Sequence, residues 1–144
     1  MTHPEWPDGL WQDEPDRDQW KDDASGLLCL VARAAGGHLC GYVAVPEDHP
    51  WHSRQLPDLT GSYDDTHGGL TYSALGNEHI SWTAGEPDGR WWIGFSCDHI
   101  GDLVPAAFAR MSDFEQAMSS DFYRDLAWVR REVRHLAVDV HDAR

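Results

Sequence analysis

Residues 90–102 read Arg90-Trp91-Trp92-Ile93-Gly94-Phe95-Ser96-Cys97-Asp98-His99-Ile100-Gly101-Asp102, and the first half of this run is rich in the aromatic and β-branched residues that favour strands. Side chains alternate between the two faces of a strand. One face then carries Trp91, Ile93, Phe95, Cys97 and His99, and the other carries Trp92, Gly94, Ser96 and Asp98. We expect the chain to turn at Gly101. An apolar strand therefore delivers Cys, His and Asp side chains to one place.

Further strands are predicted on the N-terminal side of this run. Residues 26–33 and 39–45 are apolar, and the glycine-bearing connector between them suits a hairpin. Residues 67–73 predict a third strand, and the alternating residues 78–83 predict a fourth. Residues 85–89 contain Pro and Gly in positions typical of a tight turn. The economical topology is a meander of four or five strands, mostly antiparallel.

The pattern becomes helical after Asp102. From Asp121 to about His141, apolar residues recur at steps of four and three, which predicts a long amphipathic helix. Ser112 and Glu115 have the spacing of a capping box, so we expect a short helix before it. The predicted fold class is α+β, with a mostly antiparallel four- to five-stranded sheet packed against a long C-terminal helix.

The chain is predicted to consist of an N-terminal arm, residues 1–25, and one α+β domain, residues 26–144. The arm is acidic and rich in Trp and Pro, and its prolines break any long helix. Trp side chains are costly to leave in water, so we expect some of them to pack on the domain or on a second subunit. The heptad-like stripe of the C-terminal helix and the excess of Trp also favour a homo-oligomer.

Charge and composition exclude some classes of function. The formal net charge is −14 with 11 basic residues, so direct nucleic-acid binding is not expected. No apolar run approaches the roughly 20 residues of a membrane span. The 3 cysteines are widely spaced and no hydrophobic signal segment precedes them, which predicts a reduced, cytoplasmic protein.

One candidate site is a metal site. Cys97, His99 and Asp102 follow the central strand, and His67 comes from the strand predicted beside it. A thiolate, two imidazoles and a carboxylate suit a zinc ion in a tetrahedral site. The alternative is that Cys97 is a small buried hydrophobic residue and that His99 is hydrogen-bonded at the end of the strand.

The same residues also suit a ligand-binding cleft. Gly68 and Gly69 permit close approach of a ligand, and their N–H groups can form an anion nest beside His67. Across the cleft, His67 can face His99 and Asp102. Four further histidines lie near turns, and His49 either closes this pocket or lies in a surface loop; the four are His38, His49, His52 and His79.

Three segments resemble a group of small uncharacterised proteins from phages and actinobacteria. They are residues 41–46 with His49-Pro50, residues 67–72 (HGGLTY), and residues 94–102 (GFSCDHIGD). The group usually has Asp where this chain has Ser96. The resemblance implies a phage origin and a shared site built from His49, His67, Cys97, His99 and Asp102.

Three functions remain open at this point. The first is a phage-type binding protein that captures a polar or nucleotide-like small molecule in the cleft, in order to counter a host defence. The second is a metal-dependent hydrolase of the zinc type, in which a further carboxylate such as Asp98 acts as base. The third is an acidic inhibitor that mimics nucleic acid towards a protein partner, using the Asp-rich arm.

Overall fold

The computed structural model describes residues 2–55, 67 and 69–143. It confirms the α+β class and an antiparallel sheet packed against the C-terminal helix. The strands are β1 (Arg17–Lys21), β2 (Leu28–Arg33), β3 (Leu39–Val45), β4 (Tyr72–Leu75) and β5 (Trp91–Ser96). The helices are α1 (Pro105–Ala109), α2 (Asp113–Met118) and α3 (Leu126–Asp142), with a short 3-10 helix at Leu10–Gln12. None of the helices in the described ranges is long and apolar enough to cross a membrane.

The strands form one sheet in the order β1-β2-β3-β5-β4, and each neighbouring pair is antiparallel. The predicted hairpin is β2–β3, and the central run of the sequence analysis is β5, between β3 and β4. Gly94 on β5 lies opposite Tyr42, and a Cβ atom there would come within 2.3 Å of the tyrosine ring. A side chain at residue 94 would therefore push β3 and β5 apart.

Helix α3 covers one face of the sheet. Its apolar stripe is fully buried against the inward residues of β2, β3 and β5, and consists of Val129, Val133, Leu136, Ala137 and Val140. The opposite face is covered by the loop at residues 76–90, where Ile80 and Trp82 pack against Tyr42 and Trp92. Both faces of the central strands are thus buried, which explains why β3 is apolar along its whole length.

The predicted fourth strand does not form. Residues 78–83 form a series of bends, because nearby side chains bind the backbone N–H groups that a strand would use. The Asn77 side chain accepts from His79 and Ile80, and the Asp88 carboxylate accepts from Trp82. The third predicted strand is also shorter than expected, since β4 begins at Tyr72.

The fifth strand of the sheet comes from the predicted arm. Strand β1 pairs with β2 along its whole length, so residues 17–21 are part of the sheet. Trp6 and Trp11 are buried in a small cluster with Tyr123. These contacts attach the N-terminal residues to the segment that precedes α3.

Helix α3 begins at Leu126, later than the predicted start at Asp121. The Asp125 side chain accepts a hydrogen bond from the Trp128 N–H at 2.9 Å and caps the helix. Phe122 is extended instead and forms an isolated parallel bridge with Asp102. The capping box predicted for the short helix is present at α2, with Ser112 and Glu115 bonded in both directions.

Candidate functional site

Asp102 follows a turn just after β5. Strand β5 ends at Ser96, and the chain then turns so that the Asp102 N–H donates to the His99 carbonyl at 2.9 Å. Gly101 adopts a positive φ of 92°, which an L side chain rarely adopts. The Phe122 N–H donates to the Gly101 carbonyl, and the Leu103 N–H donates to the Phe122 carbonyl. These two hydrogen bonds flank Asp102 and fix its position.

Asp102 has hydrogen-bond partners on both carboxylate oxygens. Its Oδ2 atom lies 2.6 Å from His67 Nε2 and accepts the His99 N–H at 3.1 Å. Its Oδ1 atom accepts from Arg124 Nε at 3.0 Å. Only 1% of the Asp102 side chain is exposed. Burial raises the pKa of Asp102, but these hydrogen bonds outweigh burial and hold the pKa below its usual value, so the carboxylate is charged at neutral pH.

The two histidines of the site converge on the same oxygen. The ring centroids of His67 and His99 are 5.5 Å apart, and His99 Nδ1 lies 3.7 Å from Asp102 Oδ2. One donor atom from each of His67, His99 and Asp102 can be chosen such that all three lie within 4.8 Å of one another. Among the described residues, His99 Nδ1 is buried and has no hydrogen-bond partner. A buried ring nitrogen that makes no hydrogen bond is costly unless it binds something.

Aromatic side chains surround this group. The Trp128 ring lies 4.7 Å from the His67 ring, nearly perpendicular to it. The Arg124 guanidinium lies over both the Trp128 ring, at 4.7 Å, and the Phe122 ring, at 4.9 Å. The residues just before α3 and its first turn therefore complete a site that began at the end of β5.

The donor set fits a divalent transition metal. Zinc accepts imidazole nitrogen and carboxylate oxygen at about 2.0–2.2 Å, and catalytic zinc sites use three protein ligands and leave one position open. Two such ligands of a tetrahedral ion are roughly 3.3 Å apart. His67 Nε2 and Asp102 Oδ2, now at 2.6 Å, would have to separate by less than about 1 Å.

Cys97 lies outside this group. Its side chain is buried in the main core with Phe95 and Val133, and burial raises the pKa of the thiol far above its usual value. Cys97 thus shares the core face with Phe95, as strand alternation predicts, whereas β5 ends at Ser96 and His99 belongs to the turn that follows. The donors that the structure brings together are thus those of His67, His99 and Asp102.

His49 lies at the other end of α3. Its Nε2 donates to the Val140 carbonyl at 2.6 Å, and its Nδ1 accepts the Trp51 N–H at 2.9 Å. Trp128 and Val140 are separated by about 18 Å of helix. Of the two glycines of the predicted anion nest, Gly68 lies outside the described residues, and Gly69 has a φ of 80°.

Two residues near the site were not assigned to it by the sequence. His38, in the β2–β3 hairpin, has its Nε2 3.7 Å from Asp98 Oδ2. Burial lowers the pKa of His38, while the charges of Asp98 and Asp102 act in the opposite direction, so His38 lies within electrostatic reach of the site. Arg124 is one of the basic side chains opposite the apolar stripe of the predicted C-terminal helix, for which the sequence left both a solvated face and an anion-binding role open. Both residues are far from Asp102 in the sequence and come close to it only in the folded structure, so no local spacing pattern could have identified them.

No protein-family model matches the chain, and neither do any of the curated proteins or solved structures with which it was compared. The resemblance to the phage and actinobacterial group, with the shared site that it implies, therefore stays a prediction. The chemistry of this protein has to be inferred from the cluster of His67, His99, Asp102 and Arg124.

Proposed function

We propose that this protein binds one divalent transition metal, with zinc as the best match, through His67, His99 and Asp102, and that it is a metal-dependent hydrolase. The observation that carries the proposal is the convergence of three donor atoms within 4.8 Å around a buried carboxylate. His99 Nδ1 supports it, because this buried nitrogen makes no hydrogen bond within the described part of the chain and a metal would satisfy it. Zinc therefore remains the proposed cofactor, with a smaller ligand set than the sequence suggested.

A metal held by three side chains can activate a water molecule in its open position. When bound, such a metal would supply the Lewis acid for hydrolysis of a carboxylic or phosphoric ester, in which the water oxygen would replace the leaving group and the leaving group would take up a proton of the water. The role of Arg124 is to hold Asp102 through Oδ1, which leaves Oδ2 directed at the two histidines. Such an outer partner orients the ligand and tunes its basicity.

Capture of a nucleotide-like molecule without chemistry has less support. Stacking on a base needs a free aromatic face. Arg124 and His67 already pack against Trp128, so this indole is engaged within the site. The acidic-inhibitor proposal also has less support, since the arm contributes β1 to the sheet.

The first test is equilibrium metal binding. Zinc is titrated against a chromophoric chelator with the unmodified protein, with His99→Ala and with His141→Ala. His141 is the control because it is exposed on the last turn of α3. We expect one zinc per chain and at least about a 100-fold loss of affinity in His99→Ala, since even outer partners of a ligand are worth 10–100-fold. His141→Ala should match the unmodified protein.

Equal zinc affinity in His99→Ala and the unmodified protein would refute the metal site. If the metal binds as expected, carboxylic and phosphoric esters are then assayed with and without chelator. Binding of these esters without turnover would replace the hydrolase proposal by capture at a metal. Turnover that survives removal of the metal would place the chemistry elsewhere in the protein.

A further inference from the structure

Arg124 places a positive charge beside the proposed metal ligands His67, His99 and Asp102, in a protein that is otherwise strongly acidic. The chain has a net charge of −14, so an anion meets a repulsive field over most of the surface. At the site, however, the guanidinium lies one hydrogen bond from Asp102, with Nε 3.0 Å from Oδ1. A bound divalent metal would add two further positive charges there.

The guanidinium is held in place and still has donors to offer. It is packed over the rings of Phe122 and Trp128, which fixes its plane. Within residues 2–55, 67 and 69–143, only the Nε atom has a hydrogen-bond partner, and the two Nη atoms have none. About a quarter of the side chain is exposed, at 26%. A fixed guanidinium with free N–H groups matches the oxygens of a phosphate or carboxylate.

We propose that the site takes a substrate with a phosphate group, one oxygen of which binds the metal while another accepts from the Nη atoms of Arg124. Arg124 then determines the substrate class, in addition to orienting Asp102. This inference rests on the proposed metal site. Phosphate is favoured over carboxylate because a phosphate monoester has three terminal oxygens, so that one can bind the metal while two remain to accept from the guanidinium.

The test uses protein loaded with Co²⁺, whose visible absorption reports changes in coordination. Inorganic phosphate is added to the loaded protein, and then adenosine monophosphate and adenosine are compared. We expect a saturable spectral change with phosphate and with the monophosphate, and none with adenosine. The ³¹P signal of phosphate should broaden in the same samples, because the anion comes close to a paramagnetic ion.

Variants separate the role of Arg124 from the role of the metal. Cobalt affinity is measured first in each variant. Arg124→Gln should weaken phosphate binding by about 10-fold or more, which is the loss of a hydrogen bond to a charged group. Arg124→Lys keeps the charge beside Asp102, and we expect it to hold cobalt within a few-fold while still binding phosphate less well, because the planar fork is lost. Arg131→Gln, an exposed position on α3, is the matched control and should change nothing.

The possible failures differ from one another. Cobalt binding without any response to phosphate would overturn this inference and leave the metal site standing. Unchanged phosphate affinity in both Arg124 variants would show that the metal alone binds the anion. Absence of cobalt binding in the unmodified protein would overturn the proposed function and this inference together. If only free phosphate binds and the monophosphate does not, the site is a phosphate-binding site and not an ester site.

Discussion

His49 and His99 show how partners decide the role of a residue. His49 has hydrogen bonds on both ring nitrogens, to the Val140 carbonyl and from the Trp51 N–H, and is buried. His99 has a buried Nδ1 for which the described residues offer no hydrogen-bond partner. The first histidine is therefore suited to stabilising the fold, and the second to binding a ligand.

Replacement of His49 should destabilise the protein without affecting the metal site. His49→Ala leaves a buried carbonyl and a buried N–H without the imidazole and also creates a cavity, so we expect a loss of about 2–5 kcal/mol in the free energy of unfolding. Urea denaturation measures the change. His135→Ala, at a side chain that is 70% exposed, is the control and should stay within about 0.5 kcal/mol of the unmodified protein. A near-neutral His49→Ala would mean that water replaces the imidazole.

At this scale the sequence placed His67 opposite His99 and Asp102, but it did not give the full set of side chains around them. The residue types and the strand before them were visible, which is why they were chosen as candidates. The exclusion of Cys97 depends on where β5 ends, and the inclusion of Arg124 depends on a contact across 22 residues. Neither has a local signal in the sequence.

Among the elements, α3 shows what periodicity can and cannot predict. The apolar steps of four and three identified four of the five buried residues of this helix, Val129, Val133, Leu136 and Val140, and did not include Ala137. They did not identify the first residue, because Phe122 continues the same spacing although it is extended and 58% exposed. The start is decided by the cap, and a cap depends on a single side chain.

The Asp125 cap gives a prediction for this element. Asp125→Ala removes the acceptor for the Trp128 N–H and should lower the free energy of unfolding by about 1 kcal/mol. Asp125→Asn keeps an acceptor oxygen at the same place. It should lower the free energy of unfolding by only a few tenths of a kcal/mol, since Asn and Asp cap about equally well. Thermal unfolding of the two variants tests the difference. Equal losses would show that the charge at the N-terminus of α3, and not the hydrogen bond, stabilises the helix.

For the molecule as a whole, the covering of the second sheet face was the part that sequence patterns missed. Residues 78–83 alternate as a strand would, yet side-chain hydrogen bonds hold them as a loop. The sheet obtained its fifth strand from the Pro-rich segment that was expected to be partly irregular. Both outcomes depend on contacts between distant parts of the chain, whereas the hairpin and the capping box, which are local, were predicted.

Acid should weaken this covering loop through Asp88. Burial raises the pKa of Asp88, but hydrogen bonds from Trp82, Trp92 and Arg90 outweigh burial and lower the pKa below its usual value. A carboxyl with a depressed pKa in the folded state stabilises the protein above its unfolded pKa of about 3.9, and this contribution is lost as the pH falls through the folded pKa. Asp88→Asn should therefore be less stable than the unmodified protein at pH 7, by about 1–3 kcal/mol, and the difference should shrink below about pH 4.

Unfolding curves at a series of pH values measure this difference. Asp23→Asn, at an exposed carboxylate, serves as the control for the loss of one negative charge. The free energies of unfolding of Asp88→Asn and of the unmodified protein could instead differ by the same amount down to the lowest pH. That result would show that the Asp88 carboxylate is not the acid-sensitive group.

Glu14 connects the N-terminal segment to the start of α3 and the residues just before it. Its carboxylate accepts from the Tyr123 hydroxyl and from the Leu126 N–H, which lie 109 and 112 residues further along. During synthesis the N-terminal segment is made first, and these two hydrogen bonds can form only after residues 123–126 have been made. Contacts of such high sequence separation are associated with slow folding. Because Arg124 and Trp128 belong to the same part of the chain as these partners, the candidate site also requires that this later segment has been made.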